Sequence, residues 1–498
     1  MRIVNHRITT ILLTAIIMAT AASGQSTGTV KGILTDPAGK SAPGAVVILT
    51  NEGTDQRLQT VTTPGGAYAF TFFSPGKYRF AAELTGFRTI ARKVTVDIAG
   101  TVTIDAVFEL GQTATEVQVV SETQQVDSST SAVGLVVEQK LVEALPLSSR
   151  NFTQILSLSP GVNASVANAG SLGRNSVNIS ANGSRPYDNS LVLNGLVAEN
   201  PMSQGFDDDV DKGGVPIPSP DALMEFKVVT ALCDAETGRQ GGAVINVVTK
   251  SGTNRFHGSL YDYLRNDDLN ANDFFRNATS QSRGVLKQNQ FGGTIGGPII
   301  KDKLFFFFAY QGTKQVNGVS SFSTASTFLP ALTNDRSAAA LGRIFAGKKG
   351  VQGGVAVAAD GSNINPVALA LLSARLPGGQ YVVPTPQIIQ PNHSGFSTYS
   401  IGARFTEQQY VGDLDYQINP ANRLAIKTFY SHDPWTIPFS TSAGDNVPGF
   451  GENDDKVNWN HTAILTSTIN PRIVNELRLG YARNYIAQLP IEPLSGHR

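Results

Sequence analysis

The most constraining feature of this chain is in its C-terminal half, where apolar and charged residues alternate with a period of two. In residues 410–418, Tyr410, Leu414, Tyr416 and Ile418 share one face, and Asp413, Asp415 and Gln417 share the other. The turn Asn419-Pro420-Ala421-Asn422 reverses the chain, and the returning run separates Leu424, Ile426 and Tyr430 from Arg423 and Lys427. A second pair, 461–466 and 473–481, repeats the pattern across Asn470-Pro471. A soluble sandwich alternates in the same way. The deciding feature is asymmetry: strands of about ten residues, tight turns on one side, and on the other a connection of about eighty residues over 316–400. That combination is expected of an antiparallel transmembrane β-barrel. Beyond residue 25 no run approaches the roughly twenty apolar residues of a membrane helix, so a closed barrel is the way this chain would cross a bilayer.

Composition points the same way. Charged residues are 16% of the chain, below the usual value of about 25%, and 49 Gly and 25 Pro favour turn-rich β-structure. Lys and Arg number 39 and are balanced by 39 Asp and Glu, so the cationic excess that nucleic-acid phosphates demand is missing and no nucleic-acid partner is expected. The single cysteine, Cys233, can close no internal disulfide and build no thiolate metal cluster; its thiol is either buried or chemically exposed. At the N-terminus, Arg2, His6 and Arg7 precede an apolar run from Ile8 to Ala22 that ends in Ser23-Gly24. The run is short and broken by Thr9, Thr10, Thr14 and Thr20, which predicts a cleaved Sec signal peptide over 1–24 rather than an anchor.

Residues 28–110 carry short alternating runs between turn signals at Asp36-Pro37-Ala38-Gly39, Pro43-Gly44, Pro64-Gly65-Gly66 and Ser74-Pro75-Gly76. The spacing predicts a small β-sandwich of about seven strands, with one running through 102–108. The strings Pro43-Gly44-Ala45-Val46-Val47, Gly66-Ala67-Tyr68-Ala69-Phe70, Pro75-Gly76-Lys77-Tyr78 and Gly86-Phe87 closely resemble the carboxypeptidase regulatory-like domain, a transthyretin-type, carbohydrate-binding-like fold. That resemblance implies an accessory domain with no active site. Tyr68, Phe70 and Tyr78 alternate as core residues do, and a sugar platform is the competing reading.

The linker 111–125 turns polar except for Thr115, Glu116, Val117, Gln118, Val119 and Val120, a short free strand suited to adding onto a partner's sheet edge. Its position resembles the TonB box of TonB-dependent transporters. The plainer reading is that it extends the last sandwich strand.

In 126–252 the run from Leu145 to Val162 has helical apolar spacing after Asn151 and stops at Ser159-Pro160-Gly161, predicting a short helix and turn. Strands are expected at 177–180, 191–195, 225–229 and 244–249. These strings resemble the α+β plug domain of TonB-dependent receptors of the large Oar-like class. Most specific is the run Gly238 to Asn254, where plug gives way to barrel in that class. Asn289 to Ile299 resembles the same receptors.

Within the barrel, expected over 253–498, the run Leu304-Phe305-Phe306-Phe307-Phe308-Ala309-Tyr310 is apolar on both faces, as suits a strand with lipid outside and a plug inside. Residues 316–400 would form an extracellular loop with helical pieces around 337–345 and 367–375. About seven barrel strands can be counted, against about 22 in plugged transporters. The chain ends at Ser495-Gly496-His497-Arg498 without a terminal aromatic, so a fragment or truncated product is expected.

Catalytic signals are weak. Gly342 to Lys349 approaches a P-loop, but Lys349 stands where the Mg²⁺-holding hydroxyl is needed. The six histidines lack zinc-site spacing, and the Gly-x-Ser-x-Gly string at Gly24 to Gly28 falls at the signal-peptide junction, not between a strand and a helix as a nucleophile elbow must. Asp207-Asp208-Asp209-Val210-Asp211 could hold Ca²⁺, yet Lys212 occupies the glycine position of an EF-hand loop, and a solvated loop is the plainer reading. No enzyme activity and no cofactor are expected. The resemblance implies an outer-membrane receptor, in contact with membrane lipid, that takes up a scarce extracellular solute such as a siderophore, glycan or peptide. It further implies energisation by periplasmic TonB and its inner-membrane complex. A surface adhesion or carbohydrate-binding protein without transport, or a remnant of a receptor gene, are the alternatives.

Overall fold

The computed structural model describes residues 26–111, 132–145, 147, 149–164, 172–173, 179–185, 188–198, 216–232, 241–272, 274, 277, 283–350, 353–391, 394–439, 447–470 and 473–491. The first unit is a β-sandwich of strands β1 (Gly28–Thr35), β2 (Val46–Asn51), β3 (Arg57–Val61), β4 (Ala67–Phe73), β5 (Gly76–Glu83), β6 (Ile90–Val96), β7 (Thr101–Thr103) and β8 (Ala106–Val107). One sheet runs β4-β1-β7 with β8 also on β1, and the other runs β3-β2-β5-β6. The two inner faces close over Val30, Leu34, Val47, Leu49, Phe80 and Phe108. Tyr68, Phe70 and Tyr78 are buried in this core and present no sugar platform.

The single strand expected over 102–108 is two short ones, each parallel to β1. The break has a local cause: the Asp105 carboxylate accepts the Ile33 N–H at 2.7 Å, and the Tyr68 hydroxyl donates to the Ile104 carbonyl at 2.8 Å. Both bonds replace ladder hydrogen bonds, while Val102, Ile104, Ala106 and Phe108 keep the expected inward alternation. Gly32 permits this approach, since a Cβ there would lie 2.0 Å from the Ile104 oxygen.

The second unit comprises β9 (Val133–Glu138), α1 (Gln139–Ala144), a 3₁₀ turn (Phe152–Leu158), β10 (Val162–Ala164), β11 (Ile179–Ala181), β12 (Ser190–Leu193), β13 (Leu196–Val197), β14 (Leu223–Ala231) and β15 (Val244–Thr249). The helical piece expected after Asn151 is 3₁₀, capped by the Asn151 side chain accepting the Thr153 N–H at 2.9 Å. A five-stranded mixed sheet runs β13-β12-β15-β14-β9. β15 is central and buried at every position, as its unbroken Val/Ile character demands. The edge strand β9 and helix α1 were not legible in the sequence pattern.

The third unit is an antiparallel sheet of long strands: β16 (His257–Asn266), β17 (Leu286–Ile300) and β18 (Leu304–Asn317). A long connection follows, carrying β19 (Thr324–Pro330), α2 (Ala338–Phe345), α3 (Pro366–Ser373), β20 (Ile388–Ile389) and β21 (Ser394–Ser400). The sheet resumes with β22 (Ala403–Asn419), β23 (Asn422–His432), the short β24 (Trp435–Ile437), β25 (Glu452–Asn470) and β26 (Ile473–Pro490). The path runs β16-β17-β18-β22-β23-β25-β26, with β24 bridging β22 and β25 beyond the end of β23. Its tight turns lie at 301–303 and 419–422, Asn470 pairs with Ile473 at the same end, and the long connections leave the opposite end, as the alternation predicts. In β18, Phe305 and Phe307 point inward and are buried, whereas Phe308 on the other face is 42% exposed. Across the outer face, Tyr310, Tyr410, Tyr430 and Trp459 form one row with ring centres 5.2, 6.0 and 5.8 Å apart, the pattern of an interfacial aromatic girdle.

Candidate functional site

The second unit sits against the concave face of the third. Part of the seal is apolar: Phe307 and Ala309 of β18, Val411 of β22 and Phe429 of β23 join the core built by Phe152, Ile155, Phe226 and Ile245. The remainder is polar, because a strand that turns its apolar residues to lipid must turn its polar ones inward.

Three groups of polar contacts fasten the plug to the wall. In the first, Arg150 donates to Asp221 within the plug while its guanidinium lies between Tyr261 and Tyr263 of β16, 4.4 Å from each ring centre. Its Nε reaches Gln311 Oε1 at 3.4 Å, and Gln311 in turn donates to Glu407 at 3.2 Å. Glu407 also accepts from Thr313 at 2.7 Å and from Gln409 at 2.6 Å, and the Gln409 Nε2 donates to the Ile217 carbonyl of the plug at 2.8 Å. In the second, Lys427 pairs with Asp413 and donates to Ser251 at 3.1 Å. In the third, Arg478 of β26 donates to the Gly195 carbonyl at 2.9 Å and pairs with Glu476 at 2.8 Å. Two further bonds reinforce the joint: Gln290 to the Ser149 carbonyl at 3.3 Å, and the Gly173 N–H to Gln315 at 2.6 Å.

The sandwich is tied to both other units near the tight-turn end. Glu225 of β14 accepts the Ile98 N–H, and Lys227 on the same strand donates to the Ala99 carbonyl at 3.0 Å. Burial, reinforced by the neighbouring Asp97, pushes the Glu225 carboxyl up to about 8. Asn254 donates its backbone N–H to the Gly53 carbonyl at 2.9 Å, and Arg423 donates to Ser74 Oγ at 2.7 Å. Between these contacts a cleft of about 740 Å³ opens, lined among others by Phe72, Tyr78, Met224, Thr253, Gln417 and Arg423.

The strand Thr115 to Val120 expected to dock a partner lies outside the described residues, as do Cys233 and Asp207 to Asp211. Of the fastening residues, Asp413 and Lys427 were placed by alternation on the inward polar face, but no contact with the plug was assigned to any of them. Arg150 falls within the run Leu145 to Val162 and carried no assignment of its own. Its partners Tyr261, Gln311 and Glu407 are far along the chain, and no local pattern points to them.

A plug seated in a polar-lined β-wall, with lipid-type residues outside, defines an outer-membrane barrel protein. The chain belongs to the outer membrane beta barrel domain family, whose model matches residues 248–496, half of its length. Residues 29–109 match the carboxypeptidase regulatory-like domain. It is a homologue of the TonB-dependent transporter Oar of Myxococcus xanthus, 26% identical over 332 residues. That match covers 62% of this chain and 29% of the relative, so the chain spans under a third of the relative's length. Among solved structures it is similar to the outer membrane transporter YddB from Escherichia coli, with a TM-score of 0.43 at 11% identity over 71% of this chain and 39% of that one. The ferric enterobactin receptor PfeA from Pseudomonas aeruginosa matches at a TM-score of 0.37 and 14% identity, over 71% and 41% of the two chains. The protein is located in the outer membrane.

Proposed function

We propose that this protein is the receptor part of an active uptake system: it binds a scarce extracellular solute and admits it when periplasmic TonB, driven by its inner-membrane complex, pulls on the plug. The observation that carries this reading is the polar joint around Arg150, Gln311 and Glu407. A hydrogen-bonded and ionic joint can exchange its partners for water as it opens, whereas a fully apolar seal would expose its core to solvent at large cost. The transporter relative supports the same reading.

A path for the force follows from the sheet order. The linker that carries Thr115 to Val120 leads into β9, which among the described residues pairs with β14 alone and ends its sheet. Force arriving at Val133 meets the end of the ladder where the register shifts between Val229 and Ala231. Edge pairs can then open one after another, which needs less force than shearing the sheet at once. No step requires catalysis. The solute class is open among siderophore, glycan, peptide and cobalamin.

Deleting Thr115 to Val120 tests the docking strand. The expected result is loss of energised uptake with surface binding of solute intact, measured with labelled solute on whole cells. Unchanged uptake rejects the docking strand. Binding without any uptake in the unaltered protein favours the adhesion or carbohydrate-binding alternative.

A further inference from the structure

Above the aromatic row, toward the end that bears the long connections, the outer face of the barrel carries an uncompensated basic cluster. Lys287 of β17 lies directly opposite Val316 of β18, and Val316 lies directly opposite Arg404 of β22. Residues paired in this way share a face, so Lys287 and Arg404 flank Val316 on the lipid side; Lys314, two residues back along β18, completes a triangle with them. All three side chains are exposed, while the alternate positions Gln288, Gln315 and Phe405 are buried on the inner face. None of the three cations has an ion-pair partner among the described residues. Two carboxylates at the head of the β16–β17 connection are engaged elsewhere: Asp267 accepts the Leu286 N–H at 3.0 Å, and Asp268 pairs with Arg283 at 3.8 Å.

The level of the cluster is informative. Lys314 follows Tyr310 by four positions on the same face, which for strands tilted by about 40° places it roughly 10 Å nearer the extracellular side than the girdle. An aromatic girdle marks the boundary of the hydrocarbon, so three cations at that height meet lipid headgroups rather than acyl chains or bulk water. The spread also fits: neighbouring strands lie about 4.8 Å apart, so Lys287 and Arg404 bracket a gap of about 10 Å with Lys314 at its base, room for a phosphorylated sugar headgroup.

We infer that Lys287, Lys314 and Arg404 form a binding site on the lipid-facing wall for the phosphate groups of an outer-leaflet glycolipid. The cations supply charge and the girdle beneath supplies apolar contact for acyl chains. Charge complementarity and continuity with the membrane-facing band favour this occupant, and the inference rests on the outer-membrane placement rather than on transport.

The test uses the full chain in neutral detergent, titrated with bisphosphorylated lipid A and with its dephosphorylated form, with binding read by native mass spectrometry. Bisphosphorylated lipid A is expected to bind and the dephosphorylated form to bind far more weakly. Lys287→Gln, Lys314→Gln and Arg404→Gln combined should weaken binding by about a hundredfold, taking roughly fivefold for each cation at an anionic lipid surface. Lys301→Gln with Lys303→Gln, at the opposite rim, should leave binding unchanged. Equal binding of the two lipid forms by the unaltered chain would overturn the site, whatever the variants do. Displacement of the lipid by millimolar inorganic phosphate would show a free-anion site and reject the glycolipid. Full affinity in the triple variant would also reject it.

Discussion

Arg150, on the plug, holds its guanidinium 4.4 Å from the ring centre of Tyr261, on the first barrel strand, while donating to Asp221 behind it. One side chain therefore links an ion pair within the plug to a stacking contact with the wall. Arg150→Ala should destabilise the seated plug by about 3–5 kcal/mol, because it strands the largely buried Asp221 carboxylate. Arg150→Lys should recover only part of this, since an ammonium lacks the planar face that stacks on two rings. Plug release in a thermal melt, together with leakage of small solutes through reconstituted vesicles, would measure both.

The two faces of β18 should respond unequally to the same change. Phe307 is 2% exposed and packs into the plug core, so Phe307→Ala should cost about 3–5 kcal/mol. Phe308 faces outward, where detergent or lipid refills the space it leaves, and Phe308→Ala should cost under about 1 kcal/mol. Comparable losses in denaturant titrations of the two variants would contradict the assignment of faces.

Glu225 makes the sandwich–plug joint sensitive to pH. Its carboxyl sits at about 8 in the folded protein against an ordinary 4.5, so the docked state holds a proton that the undocked state releases. The joint is firmest below pH 4.5, loosens progressively as pH rises to about 8, and changes no further above that. Protease cleavage of the linker should accelerate across this window. Glu225→Gln keeps an acceptor for the Ile98 N–H and should flatten the profile; a profile unaltered by that change would assign the sensitivity to another group.

Gly134 in β9 lies so close to β14 that a Cβ would come within 2.1 Å of the Val228 carbonyl oxygen. Gly134→Val, which in an ordinary strand would favour β-structure, should here weaken the β9–β14 ladder by about 1–3 kcal/mol. Faster amide exchange at 225–231 is the expected readout, and under the proposed mechanism uptake should then need less force.

Local patterning made a large part of the architecture readable. The faces of β22, β23 and β25 followed from period-two alternation, and the turn at 419–422 from its Asn-Pro signal. The sandwich core followed from the aromatics of β4 and β5. The split of 102–108 was hidden because the Asp105 carboxylate accepts the Ile33 N–H and the Tyr68 hydroxyl donates to the Ile104 carbonyl, both partners distant in sequence. Strand β9 was hidden because its apolar run, Val133 to Val137, is short, shows no alternation and carries Gly134, which lowers its strand character.

By itself the sequence determined which residues face lipid, which face inward and where the chain reverses, since those properties depend on side-chain period and turn chemistry within about ten residues. Only the tertiary structure decided how the plug is held: which inward polar group meets which, Arg150 with Tyr261 and Gln311, Gln409 with the Ile217 carbonyl, Glu225 with the Ile98 N–H. Polar inner residues of a barrel are interchangeable in a hydropathy pattern. Their partners are set by strand register and by the seating of the plug, and the plug is seated by contacts between residues as far as 161 and 192 positions apart in the chain.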